Sequence, residues 1–396
     1  MKITSVDIIE VANSLRSANS KWRPVVVRIN TDEGIYGYGE VGLAYGVGAS
    51  AGFGMAKDLA RTIIGKNPMN NEAIWHDMYS KTFWGQGGGA VVYAGFSGID
   101  AALWDIKGKA LGVPLSVLLG GKCREKIRAY ASQLQFGWGR SKEKQTLIEP
   151  EQYAAAALTA MADGYTAIKV DPLGMDLNGK WIGWNLTGVL SAQQVRTGYN
   201  RIKAIREAAG PDLDIIVEMH AFTDTTSAIQ FGRAIEELGV FYYEEPVTPL
   251  SAEQMKKVAE KVDIPLAGGE RVFTRWGYRP FFENGSIDVI QPDLGTCGGV
   301  TEGKKLCDMA HTYDVTVQAH VCGGPMATAI ALQLEAAIPN FIIHEVHRYS
   351  LLEDNIKSCI YDYQPVDGYY DVPNLPGIGQ DLSQDVLRES IVETVK

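Results

Sequence analysis

The chain is poor in the features that mark secreted, zinc-clipped, membrane-spanning or nucleic-acid-binding proteins. It has five cysteines in 396 residues, Cys123, Cys297, Cys307, Cys322 and Cys359. Their odd number and scattered spacing exclude a disulfide framework and a cysteine metal site, so they read as reduced thiols. Acidic residues outnumber basic ones by 47 to 37, a net charge of −10. That balance leaves no basic footprint for nucleic acid or an anionic membrane, although a local cationic pocket could still hold an anionic small molecule. No uninterrupted apolar stretch is long enough to cross a bilayer, and the start, Met1-Lys-Ile-Thr-Ser-Val-Asp7, lacks an apolar signal core. The expectation is a soluble cytoplasmic protein whose 46% apolar content can build a large core.

Against that background, three segments stand out because each is an apolar run that closes on a carboxylate. They are Ile215–His220, Phe241–Pro246 and Pro265–Glu270, and their acids Glu218, Glu244 and Glu270 recur every 26 residues. Twenty-six residues is the length of one strand, one helix and two short loops, which predicts a (β/α)₈ barrel. In such a barrel successive parallel strands are neighbours, so the three acids converge at the catalytic face. Converging carboxylates repel unless a hard cation lies between them, and Mg²⁺ suits oxygen ligands with positions left open for substrate. The competing reading makes each glutamate a solvated loop residue; one register shared by all three weighs against it.

The rest of the chain is compatible with that architecture. Residues from Lys2 to about Val41 alternate as an antiparallel meander, and Ser14–Arg23 and Gly42–Gly54 read as mobile loops. Helical patterning runs from Ala56 through Ile106, which gives an N-terminal α+β domain over 1–122. A strand-then-helix period then predicts eight strands, at Ile127–Ser132, Tyr165–Val170, Asp214–Met219, Val240–Glu244, Ile264–Gly268, Asp288–Pro292, Val315–Ala319 and Phe341–His344. The barrel so predicted covers 123–365, and 366–396 is expected to pack back on the N-terminal domain. The long connection Asp171–Leu190, with Trp181 and Trp184, reads as a site lid or as a surface excursion packed by its own tryptophans.

Other strand ends are also polar: Lys169 and Asp171 on the second, Asp293 on the sixth, His320 on the seventh, His344 and Glu345 on the eighth. An aspartate holding one imidazole nitrogen leaves the other free as a base, which pairs Asp293 with His320. A histidine packed against a neighbouring carbonyl is the alternative.

Taken in order, Lys-x-Asp, Glu-x-His, Glu-Glu-Pro, Gly-Gly-Glu-Arg, Gln-Pro-Asp, His and Glu resemble the mandelate racemase subgroup of the enolase superfamily. The segment Gly98–Pro114 is similar to that subgroup's helix before the barrel. The resemblance covers essentially the whole chain. It implies an α/β fold, a modified TIM barrel (β/α)₇β under an N-terminal α+β capping domain, Mg²⁺ on Glu218, Glu244 and Glu270, and a symmetric homo-oligomer. It also implies removal of the proton α to a substrate carboxylate, giving an enediolate, chemistry for which a Lys or His base with Mg²⁺ is the known solution.

Asp171 stands where the subgroup often has a second lysine base, which leaves His320 with Asp293 as base. His220, where asparagine is frequent, could protonate a leaving hydroxyl. Lys169, Asp171, Glu345 and Arg271 are the expected substrate contacts; Glu345, if protonated, could donate a hydrogen bond to a substrate carboxylate oxygen. In these respects the chain is similar to acid-sugar dehydratases of the galactonate type. The expected activity is dehydration of an aldonate or aldarate to a 2-keto-3-deoxy acid. An isomerase on the same enediolate (lactone cycloisomerase, racemase or epimerase) is the runner-up, and a binding protein without turnover the third reading.

Overall fold

The computed structural model describes residues 1–13, 22–140, 144–182 and 188–396. Most of the expected loop 14–23 and the centre of 171–190, Trp184 included, lie outside the described residues.

The N-terminal strands β1 (Ile3–Glu10), β2 (Val25–Thr31) and β3 (Tyr36–Val41) form an antiparallel sheet. Their apolar side chains pack under the helices Ala49–Ala60, Asn71–Lys81 and Gly89–Leu111. The helix from Ala49 takes over much of the expected loop 42–54, because Ala49, Gly52 and Ala56 share one buried face. Glycine makes the tightest contact here. A Cβ on Gly39 would lie 2.1 Å from the Gly98 carbonyl oxygen, so this strand and helix approach at van der Waals limits.

The second sheet is curled. In spatial order β4 (Lys126–Ala131), β5 (Ala167–Val170), β6 (Asp214–Glu218), β7 (Val240–Glu244), β8 (Leu266–Gly268), β9 (Val289–Ile290) and β10 (Thr316–Val317) pair in parallel. β11 (His344–Val346) pairs with β4, and a parallel bridge from Val317 to Phe341 brings the two ends of the sheet together. The last strand therefore pairs later than expected, at His344–Val346 rather than Phe341–His344. β12 (Tyr369–Asp371) adds an antiparallel edge to β4, and β13 (Ile391–Val395) joins β1 in the N-terminal sheet.

Side chains alternate along a strand, so one apolar inward residue is followed two positions later by another inward residue nearer the carboxyl end. Tyr130, Ala167, Ile216, Tyr242, Ala267, Val289 and Ile343 form the apolar plug of the barrel. Two residues beyond members of that plug stand Lys169, Glu218, Glu244, Gln291 and Glu345. The same period that fills the core thus delivers a ring of polar groups to its upper end.

Buried carboxylates hold the N-terminal elements to the barrel. Glu40 accepts hydrogen bonds from Gly324 N (2.6 Å) and Ala327 N (2.9 Å), at the start of the helix Pro325–Ala337. Asp100 accepts from Thr301 N (2.8 Å) and Thr301 Oγ1 (2.6 Å), at the start of the helix Gly299–Thr312. Each acid satisfies amides that a helix start leaves without partners and meets the positive end of its dipole. The loop after β3 also touches the barrel directly, through Gly42 N donating to Gly295 O at 2.9 Å.

Candidate active site

A cavity of about 230 Å³ opens at the carboxyl ends of the barrel strands, beneath Gly42, Leu43, Tyr45 and Ala90 of the N-terminal elements. Lys169, Asp171, Glu218, His220, Glu270, Arg271, Asp293, His320 and Glu345 line it. Glu244 stands just below, paired in register with Glu218 across β6 and β7.

Lys169 is the hub of this layer. Its Nζ lies 2.7 Å from Glu244 Oε1, 3.0 Å from Glu345 Oε1 and 3.6 Å from Glu218 Oε2. Burial alone would lower its proton affinity, but Glu244 and Glu345 outweigh it and hold the ammonium charged. Glu345 also accepts from Ser132 Oγ (2.8 Å) and Val321 N (3.1 Å). Burial raises its pKa and Lys169 and His320 lower it by more, so it is an ionised acceptor. The condition under which Glu345 could donate to a substrate carboxylate, a protonated carboxyl, is therefore not met in this arrangement. A carboxylate beside a buried ammonium has no reason to keep its proton.

Two histidine–aspartate pairs face the cavity. His320 and Asp293 are joined by a parallel bridge between neighbouring segments, and His320 Nδ1 meets Asp293 Oδ2 at 2.8 Å. Its Nε2 is 3.1 Å from Glu270 Oε2. Burial lowers the proton affinity of His320, but Glu270, Asp293 and Glu345 together push it up to about 10. His220 Nδ1 meets Asp171 Oδ2 at 3.2 Å. Here burial, reinforced by the charges of Lys169, Arg271 and His320, drives the pKa well below the usual value and leaves the ring neutral.

Sequence reasoning assigned Asp171 to the substrate; the structure turns its carboxylate to His220 and to Leu173 N (3.2 Å). Arg271 lines the cavity, but its guanidinium is engaged by both oxygens of Glu245, a partner that sequence reasoning did not single out.

The backbone at these strand ends is strained in a way that aims the side chains. His220 (φ 43°) and Ala221 (φ 56°) after β6, and Glu245 (φ 41°) after β7, are all left-handed without being glycine. Such residues cost about 1–3 kcal/mol each and persist where the surroundings over-determine them. At His220 the turn lets its own amide donate to Glu218 Oε1 at 2.6 Å, which fixes that carboxylate.

A hard cation fits the donor set here, although the set is not gathered in advance. Among the described residues no group of three or more histidine, cysteine, aspartate or glutamate side chains is assembled closely enough to hold a metal ion. Glu270 leans instead on His320 and lies 3.6 Å from Arg271 Nε. Glu218 Oε2 and Glu244 Oε2, however, are buried without a hydrogen-bond partner. Orphaned carboxylate oxygens in a buried cluster are the donors that a divalent cation satisfies.

Comparison with known proteins places this geometry. Residues 5–120 match the mandelate racemase / muconate lactonizing enzyme N-terminal domain, and residues 152–386 match the enolase C-terminal domain-like family. The D-galactonate dehydratase of Xanthomonas campestris pv. campestris (strain B100) is 32% identical over 382 residues, 94% of this chain and 92% of that one. Among solved structures, an enolase-superfamily member from Salmonella Typhimurium superposes over the full length of both chains at 68% identity with a TM-score of 0.97. A protein from Zymomonas mobilis ZM4, provisionally named a dehydratase, is 54% identical with a TM-score of 0.95 over 100% of this chain and 99% of that one. The chain therefore belongs to the enolase superfamily, within its mandelate racemase / muconate lactonizing enzyme subgroup.

Proposed function

We propose that the protein is a hydro-lyase that dehydrates a sugar acid, an aldonate or aldarate, to its 2-keto-3-deoxy acid. The observation that carries this reading is the pair of histidine–aspartate dyads, His320–Asp293 and His220–Asp171, lining one cavity beside Glu218 and Glu270. Elimination of water needs the α-proton taken and a proton given to the departing β-hydroxyl, tasks that two such dyads can divide between them. The relatives named D-galactonate dehydratase agree with that choice.

Members of this superfamily generally bind a divalent metal. Glu218, Glu244 and Glu270 are the residues that would hold Mg²⁺ here, and when bound it would offset the negative charge that develops on the substrate carboxylate as the α-proton leaves. The chain's own groups supply the rest. Asp293 holds the Nδ1–H tautomer of His320, which leaves Nε2 to accept the α-proton. That role requires a neutral His320, so Glu270 must be drawn away from it, as its duty as a metal ligand would require. Lys169 keeps Glu345 ionised and neutralises part of the carboxylate cluster. His220, oriented by Asp171, donates to the leaving hydroxyl. The bonds broken are Cα–H and Cβ–O, water departs, and the enol product loses its hydroxyl proton as it gains one at Cβ to become the 2-keto acid.

The low proton affinity of His220 favours a second reading of the last step: a syn elimination in which His320 returns the proton it took to the leaving hydroxyl. Aldonates and aldarates incubated with Mg²⁺ and assayed for 2-keto product test the function itself, and proton exchange in D₂O separates the two routes. Under the two-histidine route, His220→Asn still exchanges the α-proton but loses elimination by about 10²–10⁴-fold. Near-normal dehydration by that variant leaves the syn route. A product that retains the elements of water would replace the dehydratase reading with a cycloisomerase or epimerase.

A further inference from the structure

Among the polar groups of the cavity that take no part in the proposed chemistry, one is a buried histidine. His347 lines the same cavity and is 2% exposed, two residues beyond Glu345 on the segment that leaves β11. A strand rises about 3.3 Å per residue, so His347 stands roughly one layer above the carboxylate cluster, toward the N-terminal elements. Its neighbours agree with that placement: the ring stacks on Tyr349 (5.1 Å between centroids, 7° between planes) and lies parallel to Trp22 (6.5 Å, 8°). Trp22 belongs to the N-terminal elements, so His347 is set where they meet the barrel.

Its tautomer is fixed by the backbone. Tyr349 N donates to His347 Nδ1 at 3.2 Å, which makes Nδ1 an acceptor and leaves the ring proton on Nε2. Among the described residues nothing pairs with Nε2, and that atom is not sealed in the core. A buried imidazole N–H aimed into a ligand cavity without a partner is a donor waiting for an acceptor that the ligand brings. We propose that His347 Nε2–H donates to a hydroxyl of the sugar-acid chain remote from the reacting carbons, and so selects the configuration of that carbon. The inference rests on the dehydratase reading above and adds a residue that discriminates among sugar acids. Burial, together with the charges of His320, Lys144 and Lys169, lowers the proton affinity of His347 to about 3 against the pull of Glu345. It is therefore a neutral donor, which suits a hydroxyl better than a second carboxylate.

The test compares the wild-type protein with His347→Phe, which keeps the stacked ring and lacks the N–H, and with His347→Gln, which keeps a donor and an acceptor. Each is assayed with the preferred sugar acid and with its single-deoxy analogues. The wild type should disfavour one deoxy analogue by roughly 10-fold in kcat/KM, the scale of one neutral hydrogen bond. His347→Phe should lose that discrimination for that analogue alone, mostly through KM, and His347→Gln should recover part of it. An equal loss for every analogue would make His347 a packing residue and overturn the proposal, as would unchanged discrimination. If the wild type discriminates and dehydrates while the variant results disagree, only this inference falls. If the wild type dehydrates no sugar acid, the functional reading falls first and takes this one with it.

Discussion

Replacing Lys169 by methionine tests whether the ammonium is the charge that lets three glutamates share one buried layer. Methionine keeps the length and apolar stem and deletes only the head, which lies 2.7 Å from Glu244, 3.0 Å from Glu345 and 3.6 Å from Glu218. Removing one partner of a buried ion pair costs about 3–5 kcal/mol, because the other partner keeps its desolvation penalty. The chain can limit that loss by protonating a carboxylate. From an ordinary glutamate value of 4.5, taking up a proton at pH 7 costs about 1.36 kcal/mol for each of about 2.5 units, or roughly 3.4 kcal/mol. The two routes give the same scale, so the variant should lose about 3–5 kcal/mol at pH 7.

The sign of the pH dependence follows from the shifts. In the wild type burial raises Glu345 but Lys169 and His320 hold it below its ordinary value, so its contribution is present at neutral pH and lost as the solution is acidified below about 4.5. In the variant the carboxylates stay above their ordinary values when folded, so the penalty is absent at low pH and grows as pH rises through 4.5. The stability gap between the two proteins should therefore narrow by about 1.4 kcal/mol per pH unit between pH 7 and pH 5. Urea unfolding followed by tryptophan fluorescence at both pH values measures it. A variant as stable as the wild type at pH 7, or a gap indifferent to pH, would refute the reasoning.

Mg²⁺ should raise the Tm of the wild type and support its activity, and Glu244→Gln should abolish both effects, measured by calorimetry and turnover with and without chelator. Asp171→Asn should reproduce His220→Asn in the exchange and elimination assays, because its carboxylate is bonded to that ring; a change in KM alone would return Asp171 to substrate binding. His320→Asn should lose both α-proton exchange in D₂O and dehydration. Gly42→Ala puts a Cβ 2.6 Å from the carbonyl carbon of Gly295, which must shift the loop over the cavity. Its expected effect is a several-fold higher KM with little change in Tm, and unaltered kinetics would mean the loop closes over nothing.

The barrel could be read from the chain because its rule is local. Apolar runs that end on acids, separated by helical periods, repeat too evenly to be chance, and β6, β7 and β8 fall within two residues of their expected bounds. The later strands were harder to delimit. Gln291 and Gln318 are buried inside the barrel and bond to each other, so polar residues stand where a periodicity argument looks for apolar ones, and only Val289–Ile290 and Thr316–Val317 keep ladder pairing. The site was legible as a set of residues and not as a set of partners. Glu345 is held ionised by Lys169, a residue 176 positions earlier that only barrel closure makes its neighbour. Asp171 meets His220 because the chain turns left-handed at His220 and Ala221, and no residue type there announces it. His347 carries no motif. Its tautomer is set by one backbone amide, and a hydrogen bond two residues away leaves no trace in composition or period.

The two dyads show why partners matter more than identities. His320 and His220 are both buried and both bonded through Nδ1 to an aspartate, yet their proton affinities diverge. Burial pushes both down. What separates them is the next shell of charge: Glu270 and Glu345 near His320, Lys169 and Arg271 near His220. Titratable groups whose surroundings drive them apart are the raw material of acid–base catalysis, but with the protein's own charges alone the order is the reverse of the one the proposed forward reaction uses. His320, the proposed base, holds a proton, and His220, the proposed acid, lacks one. The charges that set this order are therefore those that must change when the site fills. Commitment of Glu270 to a cation would withdraw the largest support for protonated His320. A substrate carboxylate brought near Lys169 and Arg271 would offset the charges that keep His220 neutral. On this argument a histidine–aspartate pair is not base or acid by its own constitution; the anion and cation that complete the cavity assign the roles.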